Sequence, residues 1–129
     1  MRPGIAEFDA GRLQPEQFTH SEHIRMGWLY LVNYGQDEGA ERFRDALKRF
    51  TKSIGAESKY HETITCFFLH EISARIDGGD WIDFKAANAD LFDGKTLLNR
   101  HYSPATINSS LARRQYVAPD RIARQTQAN

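Results

Sequence analysis

Three of the five histidines in this 129-residue chain fall where chemistry could use them: His20, His23 and His61. His20 and His23 are three residues apart, so on a helix their Cβ atoms stand roughly 5–6 Å from each other. Two imidazoles at that spacing can bind one metal ion or flank one substrate. Thr19 reads as an N-cap and Glu22 as the third helical residue of a capping box. His20 then takes the first helical position and His23 the fourth. The positive end of the helix dipole disfavours imidazolium there and biases both rings towards the neutral form, which ligates metal or accepts a proton. The fourth position normally holds an apolar partner for the residue before the cap, here Phe18, and a histidine stands in it. Gly27, one turn further on, costs a helix about 1 kcal/mol relative to alanine, so a steric reason for it is expected.

His61 supplies the third imidazole. Read as a helical position, it has Ile64, Thr65, Phe68 and Ile72 within about 60° of it, at the centre of an apolar stripe. Thr65 is placed to orient the ring, and Glu62 to contribute a carboxylate at the stripe's edge. His61 and Glu62 are therefore the catalytic candidates, and Tyr30, Tyr34, Tyr60 and Thr65 the candidates for substrate contact through hydroxyl donors. If His20, His23 and His61 bind one divalent ion, an all-imidazole set suits zinc, iron, copper or nickel better than magnesium or calcium. No established metal signature is present: His70-Glu71 is followed by Ile-Ser-Ala, which is not H-E-x-x-H. His70 and His101 read as surface residues. There is no G-x-S-x-G, phosphate-cradling glycine loop or dinucleotide fingerprint.

The elements that must position these residues are helical. A first helix runs from the Thr19 cap to about Tyr34 and stops at Gly35. A second, about Asp37 to Ile54, carries Ala40, Phe43, Leu47, Phe50 and Ile54 on one face. A third spans about Ser58 to Ile76, and Asp80 caps a shorter one from Trp81 to about Asp90. Lys95 to Arg100 forms a short helical segment. Ser103-Pro104, an N-cap followed by proline, opens a last helix to about Tyr116. Residues 1–17 read as an irregular arm packed through Phe8 and Leu13. No strand pattern is seen. The expectation is one all-α domain over residues 1–129, an antiparallel bundle of three long helices with shorter C-terminal ones.

Composition is that of a globular chain, 40% hydrophobic and 26% charged, with a formal net charge of zero. That balance points away from nucleic acid and anionic membranes. Arg113, Arg114, Arg121 and Arg124 read as a solvated, dipole-compensating terminus. No apolar run approaches the ~20 residues of a membrane span, and the first residues lack a signal core, so a cytoplasmic protein is expected. The single Cys66 reads as a buried, inert thiol. Trp28 and Trp81 are core or interface anchors. Met26, Leu29 and Phe67 lie off the main stripes, which fits either central helices or a homodimer.

The stretches Phe18-Thr19-His20-Ser21-Glu22-His23 and Lys59-Tyr60-His61-Glu62-Thr63-Ile64-Thr65 resemble a group of small, uncharacterised bacterial helical proteins. The similarity extends through Leu97–Ser103 and Ala112–Asp120. It implies a helical fold and no particular reaction. The leading expectation is a small-molecule enzyme with a histidine-centred pocket between the first and third long helices, working through one metal ion or by proton transfer. The alternative is a non-catalytic ligand-binding or dimeric interaction module with the histidines as polar core residues.

Overall fold

A computed structural model of the chain describes residues 4–121. The fold is all-α, and no strand occurs among the described residues. The three long helices are α2 (His20–Tyr34), α3 (Gln36–Ser53) and α4 (Glu62–Arg75). They are preceded by a one-turn helix, α1 (Ile5–Asp9). They are followed by α5 (Trp81–Ala87), α6 (Gly94–His101), α7 (Pro104–Ile107) and α8 (Ser110–Arg114). No helix among the described residues is long and apolar enough to cross a membrane.

Gly35 alone joins α2 to α3, and its φ of 88° lets the chain reverse in a single residue. The reversal presses the two helices together. A Cβ on Gly39 would lie 2.6 Å from the Tyr30 carbonyl oxygen and 2.9 Å from the Leu31 Cα. Gly27 performs the same service on the other side of α2: its missing side chain leaves space for Ile72 and Leu69 of α4. The steric reason for Gly27 is thus helix packing rather than room for a ligand.

α2 is the central helix, which accounts for its apolar residues on more than one face. Met26 is fully buried and Leu29 packs against the core within this chain; so does Phe67 of α4. These residues need no second subunit to cover them. The N-terminal stretch is more ordered than an irregular arm. Phe8 of α1 stacks on Phe18 and touches Phe43 and Phe50, and Tyr30 donates its hydroxyl hydrogen to the Asp9 carboxylate. Leu13 is buried as well.

Two boundaries depart from the sequence pattern for one reason. The third long helix starts at Glu62, not near Ser58, because His61 is its N-cap, and Glu57–Lys59 form a 3-10 turn. The last helix breaks after Ile107, because that residue's carbonyl accepts a hydrogen bond from His61 instead of from the next helical turn. Ser109 then caps α8 afresh, accepting the Ala112 N–H at 3.1 Å. Beyond α8 the chain runs back as an irregular strap. Thr63 and Tyr102 bind the backbone of Gln115 and Val117, and Asp120 accepts hydrogen bonds from the Ser103 and Thr106 hydroxyls. Arg124 lies outside the described residues.

The close approach at Gly39 is testable. Gly39→Ala is expected to cost about 1–3 kcal/mol, since backbone atoms must yield to the new methyl group. Urea denaturation measures this, and a variant as stable as the parent would contradict the helix contact.

Candidate functional site

The Thr19 half of the expected capping box forms, with Thr19 Oγ1 accepting the Glu22 N–H at 3.3 Å, while the Glu22 carboxylate accepts from Arg25 Nε at 2.9 Å. The cap sets His20 and His23 side by side, with ring centroids 6.4 Å apart. Their surroundings differ sharply.

His23 turns into the protein. Its ring stacks on Phe18 at 5.2 Å and meets Phe43 at 5.4 Å. It is the staple partner that the sequence places opposite Phe18, made from an imidazole. Its Nε2 is buried without a hydrogen-bond partner. Burial, and secondarily the charge of His20, pushes its pKa down from 6.5 to about 4. His23 is therefore a neutral packing residue at ordinary pH.

His20 turns outward and is exposed. Its Nε2 lies 2.9 Å from the Leu91 carbonyl oxygen, which can only accept, so Nε2 carries the proton. In the neutral ring, Nδ1 is then the free lone pair. The Nε2–Cε1 edge rests on the start of α6: a Cβ on Gly94 would fall 2.7 Å from both atoms. Phe68 of α4 meets the same ring edge-on at 5.3 Å.

This corner walls a groove of about 440 Å³ between α2, α4 and α6. Its apolar surface comes from Ile64, Phe68, Phe92 and Leu98, and its polar groups are His20, Asp93 and Lys95. Asp93 precedes α6 but makes no side-chain cap, so its carboxylate is not committed to the helix.

His61 has a different task. Its Nδ1 accepts the Ile64 N–H at 3.1 Å, and its Nε2–H donates to the Ile107 carbonyl at 2.8 Å. Both ring nitrogens are thereby used by backbone groups. Thr65 donates to the His61 carbonyl rather than orienting the ring. The structure thus brings His20 and His23 together and leaves His61 as a structural bridge. Among the described residues, no group of three or more His, Cys, Asp or Glu side chains is arranged to hold a metal ion.

The other sequence candidates also lie away from the groove. Glu62 accepts the Tyr60 hydroxyl hydrogen at 2.5 Å, and lies 3.4 Å from Arg44 Nε and 3.5 Å from Cys66 Sγ. Burial, reinforced by the Glu62 carboxylate, pushes the Cys66 thiol up to about 11 and the Tyr60 phenol upward too. Lys48 sits over the Tyr60 ring. Tyr34 is covered by the Arg42 guanidinium at 4.4 Å, and Tyr30 is fully buried. His70 is exposed beside Tyr116, and His101 is half-buried against Phe67. The groove residues that sequence reasoning missed are Asp93, Gly94 and Lys95. Their only signal was an Asp-Gly turn before a short helix.

No protein-family model matches the chain, and neither a curated protein nor a solved structure is found to match it.

Two stability predictions follow from the histidines. His61→Ala removes a cap and orphans the Ile107 carbonyl, an expected loss of about 2 kcal/mol in urea unfolding. An unchanged midpoint would contradict the bridge. For His23, the native pKa of about 4 lies below the unfolded value, so the unfolded chain binds the extra proton between pH 6.5 and 4. This residue's contribution to stability is complete above pH 6.5 and falls as pH drops to 4. Over that window, His23→Phe should weaken the pH dependence of the urea midpoint. A slope identical to the parent's would show that His23 protonates as freely in the native state as in the unfolded one.

Proposed function

We propose that the protein binds a small, partly apolar molecule in the groove between α2, α4 and α6, and that His20 takes a proton from it. One observation carries this reading. The Leu91 carbonyl holds the His20 Nε2–H and Gly94 admits the ring, so the Nδ1 lone pair belongs to a positioned imidazole at the wall of an apolar groove. A carbonyl partner on one imidazole nitrogen fixes the tautomer and orients the ring, as it does for catalytic and metal-bound histidines. A general base placed in this way contributes typically about 10²–10⁴-fold to a rate. Asp93 and Lys95 supply the polar contacts that orient a ligand over Ile64, Phe68 and Leu98. The reading uses no metal ion. A site that recruited His61 would have to give up its bond to Ile64 or to Ile107.

A second reading, binding without turnover, is favoured by the use of two of the three histidines in the fold. In that case His20 Nδ1 simply accepts a hydrogen bond from the ligand. Both readings place the ligand in the same groove.

A fragment library screened by ¹H–¹⁵N NMR on the full chain tests the site. Hits are expected to shift the Gly94, Lys95 and Leu98 amides together, and His20→Ala to weaken them. Hits that consistently perturb other regions would overturn the assignment. If a bound compound is turned over, loss of His20 should lower kcat by about 10²-fold or more. Unchanged turnover would remove the base.

A further inference from the structure

A second pocket of about 270 Å³ lies beside this groove. Lys95 and Leu98 line both, and Tyr102, Pro104, Ile107 and Asn108 line the second. His61 builds this second pocket: by holding the Ile107 carbonyl, it keeps the end of α7 against the start of α4. A ligand seated at His20 can therefore extend along α6 over Leu98, Tyr102 and Ile107.

The charges at the groove come as one of each sign. Asp93 and Lys95 both line it, and among the described residues neither side chain has an ionic partner. The two stand two residues apart across the start of α6, beside apolar walls. One anion and one cation at the mouth of an apolar furrow complement a dipolar head group carrying a cation and an anion of its own. A purely anionic ligand would meet Asp93 unfavourably, and a purely cationic one Lys95.

Resting on the groove reading above, we propose that the ligand is an elongated zwitterion, of the chemical class of α-amino acids with a long unbranched apolar side chain. Its ammonium group lies against Asp93 and its carboxylate against Lys95. Its chain runs over Leu98 into the pocket bounded by Ile107 and Asn108. His20 Nδ1 faces the head group, where it accepts a hydrogen bond from the ammonium group.

The test is titration of the full chain, by calorimetry and amide shifts, with L-2-aminooctanoate, octanoate, octylamine and L-2-aminobutyrate. L-2-Aminooctanoate should bind about threefold or more tighter than either singly charged octyl probe, the scale of one exposed ion pair. It should exceed L-2-aminobutyrate by about fourfold for each methylene that enters the furrow. Asp93→Asn should abolish its advantage over octanoate, and Lys95→Gln its advantage over octylamine. Both side chains are exposed and Asp93 makes no cap, so neither change threatens the fold. Asn108→Trp should erase the preference for the longer chain. Equal binding of the three octyl probes, with Gly94 to Leu98 amides shifting, overturns the zwitterion and leaves the groove standing. Shifts confined to other regions overturn both, and absence of binding by all four probes overturns the zwitterion.

Discussion

The site depends on one missing side chain. His20 rests on the start of α6, with its Nε2–H on the Leu91 carbonyl, only because residue 94 is glycine. A methyl group there would overlap the ring by more than any ordinary contact allows. The contact joins the first turn of α2 to a segment more than seventy residues later, and it does two things at once. It anchors the turn before α6, and it selects which imidazole nitrogen keeps its lone pair. The apolar residues behind it then form a groove and not a filled core, because the ring stands at the edge of the packing rather than inside it.

The three histidines divide the work by environment rather than by residue type. His23 lies between Phe18 and Phe43 and behaves as an aromatic packing residue, its charge suppressed by burial. His61 satisfies a helix-end amide with one nitrogen and a distant carbonyl with the other. Burying those polar groups unpaired would cost about 1–3 kcal/mol each, so the ring is held where it is. His20 alone keeps a nitrogen free beside a groove. A spacing that looks like a ligand set thus holds a staple, a bridge and one ring at the edge of a groove.

Much of this fold is legible in the residues themselves. Thr19, Asp80 and Ser103 cap as their types predict, Gly35 ends a helix as expected, and the apolar stripe of α3 fixes its buried face. The errors have physical causes. Histidine is not a usual N-cap, so the sequence pattern places His61 inside the helix, on its apolar stripe; the helix starts just after it. Nothing local shows that the Ile107 carbonyl is claimed by a side chain 46 residues away, so the break between α7 and α8 is invisible. The short α1 leaves no signature in the sequence, because five residues give too little periodicity. Of the candidate site, His20 was visible through its cap, while Asp93, Gly94 and Lys95 become neighbours of it only through long-range packing. Tyr30, Tyr34 and Tyr60 carry hydroxyls and rings that the sequence cannot assign; the structure gives them to Asp9, Arg42 and Glu62.

His20 presents a free Nδ1 because its Nε2 is held by a backbone carbonyl. Long-range ¹H–¹⁵N NMR of the imidazole side chains, at a pH where His20 is neutral, reads this directly. A protonated Nε2 and an unprotonated Nδ1 are expected for His20, with the same pattern collapsing to a tautomer mixture in Gly94→Ala. A His20 ring protonated at Nδ1 in the parent, or one unaffected by the Gly94 change, would contradict it.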